Sequence, residues 1–213
     1  MVADCRVVLA AHQLGVETLT LYAFSAQNWA RPRAEVAHLM QLLARFALEE
    51  RTQLLARRIR LLTIGDLGRL PAPARLALRA LELASATNRS MTLCLALSYG
   101  GREALTAAAR ALVTDAAAGR LRPEQVTEER LGAALSPMDL PPLDLVIRTS
   151  GEQRLSNFML WEAAFAELYF TPVLWPDFDR TDLEAALASY AERHRRFGRT
   201  EAQVGGLRAC SSP

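Results

Sequence analysis

The chain has 213 residues, enough for one well-buried domain and too few for two of average size. Hydrophobic residues make up 51% and charged residues 23%, the balance of an ordinary globular chain, and the net charge of +2 argues neither for nor against a nucleic-acid partner; none is expected. Every basic residue is Arg and none is Lys, which excludes a Walker-type phosphate loop and Schiff-base or pyridoxal chemistry while leaving a side chain whose planar paired donors suit phosphate oxygens.

Val2 to Leu14 has the pattern of a helix, stopped by Gly15 at a C-cap position. Thr18 to Phe24 is a short β-prone apolar run and reads as a strand buried on both faces. After Pro32, Val36, Leu39, Met40, Leu43, Phe46 and Ala47 repeat at helical spacing, and the helix extends toward Arg57. Ile59 to Ile64 is a second strand, and Pro71 opens a helix through Leu78, Leu81 and Leu83. Met91 to Leu97 is a third strand, followed by a helix from about Arg102 to Ala117. Gly119 to Pro123 breaks the pattern, and a short helix follows Thr127. Pro137, Pro141 and Pro142 mark a loop before a fourth strand, Leu143 to Arg148. A helix is expected to begin near Asn157, Leu168 to Leu174 is a short strand candidate, and Thr181 with Glu184 makes a capping box for a last helix ending near Phe197. Residues 1–198 therefore read as one domain and 199–213 as a disordered tail.

The three cysteines, Cys5, Cys94 and Cys210, form no CxxC, and their odd number without a signal peptide fits a reducing cytoplasm. His12, His38 and His194 lie in helical patterns without metal-ligand spacing and read as surface or satisfied interfacial residues. No apolar run approaches the roughly 18 residues of a membrane span, so membrane contact is at most peripheral and the localisation cytoplasmic.

Alternating strands and helices predict an α/β fold with a mostly parallel central sheet flanked by helices. Ligands in such sheets bind at the carboxyl ends of the strands. The loops there read SAQNWARP, GDLGRL, SYGGR and RTSGEQRLSN, and they concentrate the chain's Gly, Ser, Asn and Arg. In the last, Arg148, Arg154, Ser156 and Asn157 around Gly151 would form an anion site at a helix N-terminus, suited to phosphate. A surface Arg pair with Ser156 or Asn157 as a plain cap is the simpler alternative. Ser25, Asn28, Trp29 and Arg31 are polar candidates in the first loop, although Asn and Pro are common in turns and Trp29 could be ordinary core. Glu167 stands in an otherwise apolar stretch, Phe165 to Phe170. A metal ion beside the anion site or a hydrogen bond from a neighbouring Arg would each offset the cost of burying it.

Taken together, YAFSAQNWARP at 22–32, SYGGR at 98–102, IRTSGEQRLSNFMLW at 147–161 and AELYFTPVLWPDFD at 166–179 resemble the cis-prenyltransferase (isoprenyl transferase, undecaprenyl diphosphate synthase-like) family, in register from about Val2 to Gly198. The resemblance implies a homodimer, Mg2+, and repeated cis addition of isopentenyl diphosphate to an allylic prenyl diphosphate such as farnesyl diphosphate. It implies that Arg148, Arg154 and Ser156, with Leu155 between them, hold the diphosphate of the isopentenyl unit, and that Glu167 helps coordinate Mg2+. Ser25, Ala26, Gln27 and Arg31 would line the allylic side, Trp29 would pack near the reacting carbons, and Asn28 sits where the family has its proton acceptor. Arg196 to Gly198 resembles a motif that reaches into the partner's site, and the 34–55 helix with the 91–97 strand would wall a tunnel for the growing chain.

Three departures are mild: Gln27 where Glu is usual, Ser98 where Asn is common, Ser150 where Gly is frequent. The larger one is at the start, since the family opens with a strand and a loop close to D-G-N-G-R-W-A, whose Asp binds Mg2+. The sequence begins inside the following helix, so the expected fold lacks its first strand and this 213-residue form is expected to elongate poorly. Either the reading begins downstream of the true start or the gene is shortened; Asn28, Arg31, Arg148, Arg154, Ser156 and Glu167 kept together favour the first. The alternatives from other classes are a non-catalytic diphosphate-binding or partner subunit and a phosphate-handling α/β enzyme of another family.

Overall fold

The computed structural model describes residues 2–135 and 140–193. In chain order these form α1 (Val2–Gln13), β1 (Thr18–Ser25), α2 (Arg33–Glu49), α3 (Arg51–Ala56), β2 (Ile59–Ile64), α4 (Ala72–Ser85), β3 (Met91–Tyr99), α5 (Gly101–Ala117), α6 (Glu128–Leu135), β4 (Leu145–Arg148), β5 (Glu167–Phe170) and α7 (Arg180–Ala191). The expected α/β class with parallel strands is what is observed. The readings of Arg196–Gly198, His194, Cys210, Pro137 and the 199–213 tail lie outside the described residues, and the last helix ends at Ala191, capped by Glu192, rather than near Phe197.

β3 is the centre of the core. It pairs in parallel with β1 on one side and β2 on the other. Leu93, Cys94, Ala96 and Leu97 are each 0% exposed although successive residues face opposite sides, so both faces of β3 are covered. α4 buries Leu78, Leu81 and Ser85, and the Ser85 hydroxyl accepts the Leu61 N–H of β2 at 2.9 Å, tying helix to strand.

The parallel sheet is in two pieces. β4 pairs only with β5, and no hydrogen-bonded ladder joins β1 to β4 among the described residues. That corrects the reading of β1 as buried on both faces: with one ladder neighbour, it buries only Leu21 and Phe24. Contact between the pieces is made by side chains. Tyr22 of β1 stacks on Phe158 with centroids 4.5 Å apart, and Ile147 of β4 packs against the main core.

Four further corrections have local causes. The helix after Pro32 breaks at Glu50 into α2 and α3. β4 starts at Leu145 rather than Leu143, because its partner β5 begins only at Glu167 and the register would place Leu143 opposite Phe165, in the 3-10 turn. α7 is capped two residues earlier than expected, with Asp179 accepting from the N–H groups of Thr181 and Asp182 and the Asp182 carboxylate accepting the Asp179 N–H at 3.0 Å. No α-helix begins at Asn157: Ser156, Asn157 and Met159 have φ of 50°, 64° and 42°, and left-handed residues cannot propagate a right-handed helix. Only a short 3-10 turn, Glu162–Phe165, follows.

Candidate active site

The carboxyl ends of β1, β3 and β4 meet in one polar rim. The β1–β3 register slips between Tyr22 and Ser25, an irregularity at the edge that turns the chain into a 3-10 helix over Ala26–Ala30. This turn is closed by a reciprocal cap. The Ser25 hydroxyl accepts the Asn28 N–H at 3.2 Å, and Asn28 Oδ1 accepts the Ser25 N–H at 2.9 Å. Asn28 therefore shapes the loop with the same oxygen the resemblance assigns to proton removal.

Trp29 is held on three sides. Its indole N–H donates to Ser98 Oγ at 2.9 Å, its ring meets Phe24 edge-on at 5.0 Å, and the Arg69 guanidinium lies 4.8 Å from its centroid. Ser98 itself is buried at φ 50°, a backbone shape uncommon for a residue other than Gly, at the point where β3 feeds the SYGGR loop. Arg31 is engaged by Glu35 of α2 at 2.9 Å, half-exposed.

Arg148 ends β4. Its Nε is buried and makes no hydrogen bond, an uncompensated donor of the kind a bound anion would satisfy. Its charge reaches the Tyr22 hydroxyl, whose pKa is raised mainly by burial, lowered by a hydrogen bond with Ser25, raised by Glu103 and lowered by Arg148. One hydroxyl thus reports that the ends of β1, β4 and the start of α5 converge. The Tyr22 O–H donates to the Tyr99 carbonyl at 3.1 Å.

Beyond Arg148 the loop is more open. Arg154 is paired with Glu152, Ser156 is exposed, and the Leu155 carbonyl accepts the Phe158 N–H at 3.0 Å. The absent helix removes the free N–H groups expected to help hold an anion, leaving the guanidinium groups and the Ser156 hydroxyl.

Glu167 is not brought to this rim. It opens β5 in register with Leu145, three residues behind Arg148, about 10 Å along the ribbon. Its Oε2 accepts from Arg193 Nη1 at 2.9 Å, the hydrogen-bonded alternative of the sequence reading. No group of three or more His, Cys, Asp or Glu side chains able to hold a metal forms among the described residues.

A family model described as undecaprenyl diphosphate synthase matches residues 3–198. The chain belongs to the cis-prenyltransferase family. Similar relatives are the ditrans,polycis-undecaprenyl-diphosphate synthases, (2E,6E)-farnesyl-diphosphate specific, of Salmonella paratyphi A (49% identical over 92% of this chain and 78% of the relative) and Escherichia coli K12 (47%, same coverage). Among solved structures, lavandulyl diphosphate synthase from Lavandula x intermedia in complex with dimethylallyl diphosphate superposes with a TM-score of 0.88 at 41% identity, covering 91% of this chain and 84% of that one. A probable undecaprenyl diphosphate synthase from Campylobacter jejuni gives 0.80 at 30%, covering 92% and 90%.

Within this cis-prenyltransferase rim, sequence reasoning missed Tyr22, Phe158, Arg69 and Glu103. Tyr22 and Phe158 lay inside the quoted motifs, where their aromatic character was visible but their stacking was not. Glu103 directly follows the SYGGR loop, and Arg69 lies in the GDLGRL loop already placed at the same edge.

Proposed function

We propose that this chain elongates prenyl diphosphates, condensing isopentenyl diphosphate with an allylic diphosphate such as farnesyl diphosphate in cis to make a polyprenyl diphosphate. The carrying observation is that Tyr22 stacks on Phe158, which joins the strand end whose turn holds Trp29 to the loop that follows the buried, unsatisfied Arg148 Nε. In the reaction, the C–O bond of the allylic diphosphate breaks and pyrophosphate departs, the allylic carbon joins the terminal carbon of the isopentenyl double bond, and a proton leaves C2 of the isopentenyl unit as the new double bond forms between C2 and C3.

Arg148, Arg154 and Ser156, with the Leu155 backbone, would bind the isopentenyl diphosphate and fix the nucleophilic double bond. Ser25, Ala26, Gln27 and Arg31 would line the allylic side, with Arg31 leaving Glu35 for the departing diphosphate. Trp29, immobilised by Ser98, Phe24 and Arg69, would present its ring to the electron-poor allylic carbon. Asn28 Oδ1, one lone pair already used by Ser25, would take the proton; a weak base suffices beside a cationic centre.

Synthases of this family are generally Mg2+-dependent. The described residues do not by themselves fit that ion. Glu167 is held by Arg193 and stands behind Arg148, so most ligands would have to be phosphate oxygens and water. A homodimer is supported by Trp161, Phe165, Phe170 and Leu174, which are exposed along 161–174 and offer apolar surface for a second copy. A cytoplasmic site with at most peripheral membrane contact is proposed; among the described residues no helix is long and apolar enough to cross a membrane.

The test is incorporation of labelled isopentenyl diphosphate in the presence of farnesyl diphosphate and Mg2+. Products lengthening by five-carbon units with new cis double bonds support the proposal. Tight diphosphate binding with no elongation would favour the non-catalytic alternative.

A further inference from the structure

One carboxylate ties together the two loops read above as the allylic and isopentenyl sides. Glu103, in the first turn of α5, accepts at Oε1 from Gln27 Nε2 at 2.9 Å and at Oε2 from Asn157 Nδ2 at 2.8 Å. Gln27 belongs to the turn after β1 and Asn157 to the loop after β4. Asn157 also fixes the start of α5: its carbonyl accepts the Gly101 N–H at 2.7 Å and its Oδ1 the Arg102 N–H at 2.8 Å. The cluster leaves no space at Gly100, where a Cβ would fall on Glu103 Oε2 and 2.6 Å from Asn157 Nδ2.

We propose that Glu103 is a positioning residue that clamps the β1 loop to the β4 loop, setting the distance at which the two substrates are presented to each other. The inference rests on the assignment of those loops to the two substrates. Each bond is solvent-exposed and individually weak, so its value lies in geometry: a small misplacement of reacting carbons costs far more rate than the bonds contribute to folding. The clamp also requires position 27 to be a neutral donor, because a carboxylate there would face Glu103 with no proton between them.

Two measurements test this. In the substrate-free full chain, Glu103→Ala should speed amide exchange several-fold in peptides covering 26–30 and 155–158 while β3 stays protected; unchanged exchange in both loops overturns the clamp. In elongation assays, Gln27→Glu should lower kcat/KM on the order of tenfold near neutral pH, and Glu103→Gln by a few-fold. The two together should return to within about twofold of the native chain, since an amide again faces a carboxylate and the new amide oxygen still accepts from Asn157. Multiplicative losses in the double variant overturn the proposal. Because exchange needs no turnover, a native chain that fails to elongate would count against the proposed activity and leave the clamp to be judged on exchange alone.

Discussion

β3 and β4 are both apolar runs, LCLALSY and LVIR at their cores, yet they occupy opposite situations. β3 lies between two strands and under helices, with Leu93 and Leu97 wholly buried; β4 has a single ladder neighbour, and of its residues only Val146 is buried, at 9% exposure. The difference separates two duties. The three-stranded piece carries the stability, and the two-stranded ribbon ends in the buried, unsatisfied Arg148 Nε and leads into the loop whose Phe158 stacks on the first piece. A ribbon fixed mainly by side chains can present a ligand group at its tip without that group being sealed into the core.

The sharpest break in this division would come from Leu93→Ala. It should cost about 2–5 kcal/mol of stability in urea unfolding while leaving turnover per folded molecule nearly unchanged. A loss under about 1 kcal/mol would mean that β3 is not the centre. On the ribbon side, Phe165→Asp, at a side chain 74% exposed, should weaken self-association at least about tenfold in sedimentation without lowering monomer stability. No change in assembly would place the dimer surface elsewhere.

Ser25→Ala removes half of the reciprocal cap and should cost about 1 kcal/mol, with a several-fold fall in kcat/KM. Asn28→Ala should fall further if its oxygen takes the proton; equal falls would reduce Asn28 to a cap. Glu167→Gln breaks a partly exposed ion pair, so the stability cost should stay under about 1 kcal/mol and the Mg2+ concentration for half-maximal rate should stay unchanged, because Arg193 holds that carboxylate; a rise in the Mg2+ requirement would put Glu167 on the metal. The smallest signal is at Cys94, whose thiol is pushed up to about 12 by burial, with a partly offsetting hydrogen bond from Thr20. It should resist alkylation at pH 8 in the native chain. Its contribution to stability should be constant below about pH 9, where the unfolded thiol titrates, and decline between there and about 12.

Much of this was legible in the sequence because strand ends in a parallel sheet concentrate Gly, Ser, Asn and Arg, and the loops SAQNWARP, SYGGR and RTSGEQRLSN do so visibly. What stayed hidden depends on pairing and on backbone shape. Left-handed Ser156, Asn157 and Met159 convert a helical-looking segment into a turn; Asn157 is of a type that tolerates this shape, but Ser156 and Met159 give no sign of it. Asp179 outcompetes Thr181 for the cap because its carboxylate reaches two N–H groups. The split of the sheet, the capture of Glu167 by Arg193 and the bridging by Glu103 are long-range facts that no local window contains.

The most direct test of the account is isopentenyl diphosphate binding by titration calorimetry to the native chain and to Arg148→Ala. A diphosphate seated on the unsatisfied donor predicts an affinity about a hundredfold lower in the variant, with the thermal midpoint unchanged. Equal affinities in the two proteins would contradict the placement of the substrate at the end of β4.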